Sequence, residues 1–127
     1  MSGIKFVLDT NAVIKLIDSN MALGSLDSAF INAEQYISVI NRIELFADPK
    51  MTEEEELNTG KFLTNVIIVP IDEVVEAETI KIRRADTSIK LPDAIIAATA
   101  VALGAILLTN DDKLLKLSWP KLIIQNL

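Results

Sequence analysis

The sequence predicts an α/β fold, a three-layer α/β/α sandwich around a central, mostly parallel five-stranded sheet. Short β-branched runs alternate with longer helical segments, which is typical of βα units. The strand candidates are brief, apolar and bounded by polar or turn residues, so all five are expected to be interior strands: residues 5–8, 36–39, 66–69, 106–109 and 122–124. We find no repeat and no linker, so residues 1–127 are expected to form a single domain.

The helices are predicted from apolar periodicity and from signals at their ends. Thr52 and Glu55 have the spacing of a capping box, and Asp72 suits an N-cap. Pro92 suits a first helical turn, and Gly104 suits the position just after a helix. Helices are therefore expected at residues 11–17, 25–31, 40–47, 52–65, 72–85, 92–103 and near 113–117.

An uncharged stretch covers residues 94–108 and raises the question of a membrane segment. It is shorter than the roughly 20 residues that a spanning helix needs, and Gly104 is expected to end its helical part. We interpret it as a buried helix followed by a buried strand, so no membrane association is expected. Residues 1–8 do not resemble a secretory signal, and the cytoplasm is the expected location.

The composition restricts the possible chemistry. Cysteine and histidine are both absent, which excludes disulfides, Cys/His zinc sites, thiol catalysis and any triad with a histidine base. Only hard oxygen ligands remain for a metal. The formal net charge of −6 argues against binding of nucleic acid by bulk electrostatics, so any nucleic acid must be held locally.

Two aspartates follow predicted strands directly. Asp9 comes after the first strand and Asp111 after the fourth, so both are expected at the carboxyl edge of the sheet, where open parallel sheets bind ligands. In a doubly wound sheet these two strands would be neighbours, which would bring the two carboxylates together. Taken alone, each residue is more readily explained as a helix cap or part of a polar turn.

Two further acids lie on predicted helices. Asp93 is just inside the start of an apolar helix, where it could serve as a cap or face a polar pocket. Glu44 has apolar neighbours on a short helix, where a buried charge is costly unless it is paired, hydrated or bound to metal. A salt bridge with Arg42 or an exposed rim position is the alternative for Glu44.

Four carboxylates in one site would repel one another unless a divalent cation neutralised them. Ligation by oxygen alone favours Mg²⁺ or Mn²⁺ over zinc or copper. Such a site is suited to phosphoryl chemistry, because the cation activates water and stabilises the leaving oxygen. The residues in question are Asp9, Glu44, Asp93 and Asp111.

Four segments in series resemble a known pattern: DTN at residues 9–11, SVINRIEL at 38–45, IKLPDAIIAATA at 89–100 and LTND at 108–111. The chain resembles the PIN-domain nucleases, most closely the VapC-like toxins of toxin–antitoxin pairs. The resemblance implies that the four acids bind metal and catalyse, supported by Thr10, Asn11 and Thr109. It also implies an Mg²⁺- or Mn²⁺-dependent endoribonuclease that leaves a 5′-phosphate, a homodimer, and inhibition by a small VapB-like antitoxin.

The fourth segment departs from the family pattern, which often reads Thr-x-Asp-x-Asp-Phe. Here Asp112 directly follows Asp111, and Leu114 takes the place of the usual aromatic residue. Adjacent side chains diverge, so the two acids are not expected to face one metal together. We assign Asp111 to the metal site and interpret Asp112 as the N-cap of the short helix that begins near Lys113.

Basic residues are few, and four of them are candidates for holding RNA phosphates beside the metal: Arg42, Arg83, Arg84 and Lys90. Ordinary solvated helix surface is the alternative, which we leave open for Arg83 and Arg84 and favour for Lys81.

Two other functional classes compete with the enzyme. A phospho-receiver domain also has acids at strand ends, but here Glu44 and Asp93 are on helices and no predicted strand ends in lysine. A catalytically silent or regulatory α/β binding module with a carboxylate-lined metal site is the other alternative, and the complete set of four acids argues against the silent form.

Overall fold

The computed structural model describes residues 3–19 and 33–127. The predicted helix at residues 25–31 lies outside these ranges. In chain order the elements are β1 (Lys5–Leu8), α1 (Thr10–Asp18), β2 (Glu34–Ser38), α2 (Val39–Phe46), α3 (Glu53–Leu63), β3 (Ile67–Val69), α4 (Glu73–Ala85), α5 (Leu91–Leu103), β4 (Ile106–Thr109), α6 (Asp112–Leu115) and β5 (Ile123–Asn126).

The five strands form one sheet with the order β3-β2-β1-β4-β5, and every neighbouring pair is parallel. The predicted fold class is therefore confirmed. The predicted contact between the first and fourth strands is also present, with Val7 opposite Leu107. The expectation that all five strands are interior is wrong for β3 and β5, because an open sheet has two edges; Ile67 and Ile123 on these strands are more than half exposed.

The core lies on both faces of the central strands. Val7 and Leu107 pack into one hydrophobic cluster together with α4 and α5, whereas Leu8 and Leu108 pack into a second cluster with α1. Because neighbouring residues of a strand point to opposite faces, both faces of β1 and β4 are covered by helices. The result is the expected three-layer arrangement. Because helices cover both faces of the sheet, the ends of the central strands are open only at the edge of the sheet.

Several local signals act as predicted. Thr52 and Glu55 form the capping box of α3, and the Asp72 side chain accepts from the Val75 amide at the start of α4. Gly104 ends α5 in the left-handed conformation with φ of 64°, which a residue without Cβ adopts at little cost. None of the helices in the described ranges is long and apolar enough to cross a bilayer; α5 itself has 13 residues.

The turn from β2 into α2 differs from the sequence prediction. Val39 belongs to the helix and not to the strand, and Ser38 is the N-cap. Ser38 and Asn41 form a capping box there, with Asn41 in the third helical position. This turn fixes where α2 begins, and so it fixes which side chains of α2 reach the carboxyl edge of the sheet.

Candidate active site

A cavity of about 210 Å³ opens at the carboxyl edge of the sheet, between the ends of β1 and β4 and the beginnings of α1 and α5. The four acids singled out in the sequence all line it, although they come from widely separated parts of the chain. The lining residues are Asp9, Thr10, Asn11, Glu44, Asp93, Ile96 and Asp111. Parallel strands end at the same edge, which explains how Asp9 and Asp111 meet.

Asp9 is the most buried of the four acids, with only 4% of its surface exposed. It is the N-cap of α1: its Oδ1 accepts from the Ala12 amide at 2.7 Å. Its Oδ2 accepts from the hydroxyl of Thr109 on β4. The same hydroxyl oxygen accepts from the Asp111 amide at 3.0 Å, so Thr109 links the ends of β1 and β4. A capping role and a place in the cavity are therefore compatible for Asp9.

Asp111 is the N-cap of α6, because its Oδ1 accepts from the amides of Lys113 at 2.8 Å and Leu114 at 3.2 Å. The prediction that Asp112 is this cap is wrong. A cap residue has an extended backbone just before the helix, as Asp111 does, whereas Asp112 is already the first helical residue and is exposed. Leu114 is buried in the core below. Asp111 thus caps a helix and lines the cavity at once.

Glu44 is exposed, so of the alternatives that the sequence left open the rim position is the one present. Ile43 beside it is 56% exposed, so the apolar residues of α2 do not enclose the carboxylate. The Glu44 charge is therefore not buried, and the energetic cost of burying a charge gives no argument that Glu44 binds a metal. What directs the side chain is a hydrogen bond, in which the Thr10 hydroxyl donates to Glu44 Oε1 at 2.8 Å.

Neighbouring negative charges raise the pKa of two of the acids, Asp93 and Asp9. Burial is the main cause that raises the pKa of Asp93, followed by the negative charges of Asp111, Glu44 and Asp9, while Lys90 acts in the opposite direction. Burial also raises the pKa of Asp9, and the hydrogen bonds from Thr109 and Ala12 partly offset it; Asp111 and Glu44 raise it further. The cavity therefore concentrates negative charge that water does not fully screen.

The donor set fits a hydrated divalent cation. Among the described residues, no three acids are close enough together to hold a metal directly. Mg²⁺ does not require this, because it keeps several waters and is bound through one or two carboxylates. The lining offers oxygen ligands only, apart from the Asn11 amide and the apolar Ile96. This chemistry suits Mg²⁺ or Mn²⁺ and is unsuited to softer metals.

Asn41 is a site residue that the sequence reasoning missed. It is completely buried, and its side-chain amide donates to Thr10 Oγ1 at 3.0 Å. Its Oδ1 accepts from the Ser38 amide at 3.2 Å. The three-residue spacing from Ser38 to Asn41 is the signal that could have revealed it, since that is the spacing of a capping box.

The basic candidates lie outside the cavity lining. Arg83 donates to the backbone carbonyl of Ile89, so it braces the segment that leads into α5. Lys90 is the backbone N-cap of α5 and lies near enough to Asp93 to lower its pKa. Arg42 and Arg84 are exposed. None of these contacts decides whether the four residues bind phosphate, which stays a prediction.

The comparisons with known proteins agree with the fold. A PIN domain family model matches residues 6–120 of the chain. A comparison with curated proteins gives no significant match.

Solved structures similar to this chain include VapBC2 from Rickettsia felis bound to a DNA fragment from their promoter, with a TM-score of 0.81 and 24% identity over 97% of this chain and 98% of that chain. DNA-bound VapBC from Salmonella typhimurium has a TM-score of 0.72 and 23% identity over 97% and 98% of the two chains. A toxin–antitoxin complex from Klebsiella pneumoniae has a TM-score of 0.69 and 25% identity over 92% and 94%. At these identities the likeness concerns the fold.

The raised pKa of Asp93 predicts that Asp93→Asn stabilises the metal-free protein at neutral pH. The Asp93 carboxyl has a higher pKa in the folded protein than in the unfolded chain, where the reference pKa is 3.8. At neutral pH the carboxyl is ionised, and its ionisation therefore opposes folding. The favourable helix N-terminus is outweighed by burial and repulsion. Thermal unfolding in EDTA should show a higher midpoint for the variant at pH 7, and the difference should shrink as the pH falls toward 3.8.

Asp86→Asn is the matched control, because hydrogen bonds from Ser88 lower the pKa of Asp86. Its ionised form favours folding, so this variant should lose stability at neutral pH and match the wild type in acid. If both variants changed the unfolding midpoint in the same direction at pH 7, the pKa directions assigned to Asp93 and Asp86 would be contradicted.

The cap at Asp111 predicts a difference between two substitutions that remove the same charge. Asp111→Asn keeps an acceptor for the Lys113 and Leu114 amides, whereas Asp111→Ala does not. Asp111→Ala should therefore be less stable than Asp111→Asn by about 1 kcal/mol in denaturant unfolding. The corresponding pair at Asp112 should differ by much less, and a larger difference at Asp112 would restore it as the cap.

Proposed function

This chain belongs to the PIN domain family, and from that premise we propose that it is an Mg²⁺- or Mn²⁺-dependent endoribonuclease, the toxin of a toxin–antitoxin pair. One observation above all supports the proposal: four acids from four parts of the sequence, Asp9, Glu44, Asp93 and Asp111, line a single cavity at the carboxyl edge of the sheet. Burial and the charges of neighbouring acids raise the pKa of Asp9 and of Asp93, which is expected where a cation belongs.

One or two of the four carboxylates would hold the cation directly and the others through its waters. Each carboxylate is directed by a different local feature. Asp9 is fixed by two hydrogen bonds and Asp111 by its helix cap. Glu44 is directed by Thr10, and Asp93 lies in the first turn of α5. A bound divalent cation supplies an activated water and stabilises the charge on the leaving oxygen. The protein's part is to pre-organise the oxygen ligands and to place the scissile phosphate among them.

Phosphate can approach this cavity only if the negative charge of the cavity is neutralised. The chain has a formal net charge of −6, and the cavity itself is lined by carboxylates, which repel a phosphodiester. A cation bound among the carboxylates removes that repulsion. Exposed Arg42 and Arg84, with Lys90 beside Asp93, are the proposed contacts to the flanking phosphates, and Arg83 holds the preceding segment. Asn11 and Thr109 would support the ligands.

A small VapB-like antitoxin and a second copy of the chain are the proposed protein partners. The support is the shared fold with chains from two VapBC structures, both of them described as bound to DNA. An antitoxin could block the site with a cationic side chain placed among the carboxylates, because such a group replaces the cation electrostatically.

We expect the purified protein to cleave a random-sequence RNA pool in Mg²⁺ or Mn²⁺, to leave 5′-phosphates, and to lose this activity in EDTA. Asp9→Asn and Asp93→Asn should each lower the rate by orders of magnitude, because each removes a ligand charge. Glu76→Gln, an exposed acid on α4, is the control and should leave the rate unchanged. Sequencing gels with matched RNA and DNA pools provide the measurement.

Full cleavage in excess EDTA would contradict the metal mechanism. Preferential cleavage of the DNA pool would contradict the substrate class. Cation binding without cleavage of either pool would favour the silent binding module.

We also expect a homodimer in solution and a stable complex with the product of the adjacent reading frame. Light scattering measures the first, and co-purification from a strain that expresses both frames measures the second. Adding the partner should suppress RNA cleavage, because it competes with the cation or covers the cavity. If the protein is strictly monomeric and does not co-purify with the product of the adjacent reading frame, the toxin assignment is contradicted. The assignment as a nuclease is not affected by that result.

A further inference from the structure

The side chain of Asn41 is completely buried between the β2–α2 turn and the β1–α1 turn. On one side it accepts from the Ser38 amide at 3.2 Å, and on the other it donates to Thr10 Oγ1 at 3.0 Å. Thr10 in turn donates to Glu44 Oε1 at 2.8 Å. A continuous chain of hydrogen bonds therefore leads from the backbone of β2 to an acid of the cavity.

The direction of this chain of hydrogen bonds is set by the backbone. The Ser38 amide can only donate, so the Asn41 atom that faces it must be the carbonyl oxygen. The –NH₂ group of Asn41 then faces Thr10 and donates to its hydroxyl oxygen. A hydroxyl has a single proton, and with a donor on its oxygen Thr10 directs that proton to Glu44. Glu44 thus receives a hydrogen bond of fixed direction.

Glu44 depends on this support more than Asp9 depends on any single hydrogen bond. Its side chain is exposed, and a free glutamate on a helix surface samples many rotamers. Asp9 is by contrast buried and held by two donors. Asn41 and Glu44 are three residues apart on α2, so they lie on the same side of the helix with Thr10 against both. Thr10 and Asn41, the two residues that support Glu44, both lie in the first turn of their helices.

We propose that Asn41 is a positioning residue that fixes the Glu44 carboxylate toward the cation site by setting the direction of the Thr10 hydroxyl. The inference rests on the proposed function, since it assigns Glu44 to the cation. Asn41 itself touches neither cation nor substrate in this arrangement and acts through Thr10. Capping alone would require only its oxygen, whereas the positioning role requires the –NH₂ group as well.

The test separates these two roles with matched variants. Asn41→Leu has a similar shape and removes both hydrogen bonds. Ser38→Ala removes the other half of the capping box and leaves Asn41 facing Thr10. Thr10→Val removes the hydroxyl, and Thr10→Ser restores it. Thr79→Val is the control for loss of a buried threonine hydroxyl, because Thr79 donates to Val75 within α4, outside the cavity lining.

Two measurements are made on each variant. The ¹³C chemical shift of the Glu44 carboxylate, in metal-free protein at one fixed neutral pH, reports the hydrogen bond. Calorimetric titration with Mn²⁺ reports the consequence for the cation. Asn41→Leu and Thr10→Val should both move the Glu44 shift and weaken Mn²⁺ binding by about ten- to a hundredfold, as expected for loss of an outer-shell partner. Thr10→Ser should restore both, and Ser38→Ala and Thr79→Val should change neither.

The double variant tests whether Asn41 acts through Thr10. Asn41→Leu added to Thr10→Val should weaken Mn²⁺ binding no further, and an additive loss would overturn the proposal. It is also overturned if Asn41→Leu behaves like Ser38→Ala in both measurements. If Asn41→Leu does not fold, Asn41→Asp keeps the capping oxygen but replaces the donor with an acceptor; it should move the Glu44 shift as Thr10→Val does, and an unmoved shift refutes the role.

Failure of the proposed function gives a different result. If the wild type binds no Mn²⁺, the metal mechanism is contradicted, and if it cleaves no RNA, the ribonuclease activity is contradicted. In either case the ¹³C shift of Glu44 still decides whether Asn41 positions that carboxylate.

Discussion

The hydrogen bond from Thr109 to the buried carboxylate of Asp9 joins the fold to the site. It connects the ends of β1 and β4, and the oxygen of the same hydroxyl accepts the Asp111 amide, so one side chain holds two acids at the sheet edge. Asp9 is almost fully buried, where an ionised carboxylate is costly without donors. The Thr109 hydroxyl and the Ala12 amide supply these donors. The other acids are arranged around a carboxylate whose place is already fixed.

The cost of this arrangement is electrostatic. Burial and neighbouring acids raise the pKa of Asp9 and of Asp93, which means that their ionised forms oppose folding at neutral pH. The stability must come from elsewhere, and the two hydrophobic clusters on either face of the sheet provide it. A protein that needed no ligand here would gain stability by neutralising one of these acids. The presence of four acids around one cavity is understandable if a cation completes the site.

Two of the four acids that line the cavity are also helix caps. Asp9 caps α1 and Asp111 caps α6, and both line the cavity. Asn41 belongs to the capping box of α2 and holds Thr10. The reason is geometric: in a parallel sheet each strand ends where the next helix begins, so N-caps gather at the edge where ligands bind. A cap is held by backbone amides, which also gives its side chain a defined direction.

The sequence by itself determined the hydrophobic runs that form the strands and the helices with strong end signals, because these follow from local periodicity and local capping patterns. It placed Asp9 and Asp111 at the end of neighbouring strands, whereas the grouping of these two with Glu44 and Asp93 came from the resemblance to a known family pattern. Only the tertiary structure decided that Glu44 is exposed on α2, since neighbours in sequence point around a helix in different directions. It also decided that Asp111, not Asp112, caps α6, because a shift of one residue depends on where β4 stops. The contact of Asn41 with Thr10 joins residues 31 positions apart. It exists only because β1 and β2 pair side by side, a long-range relation that no local pattern contains.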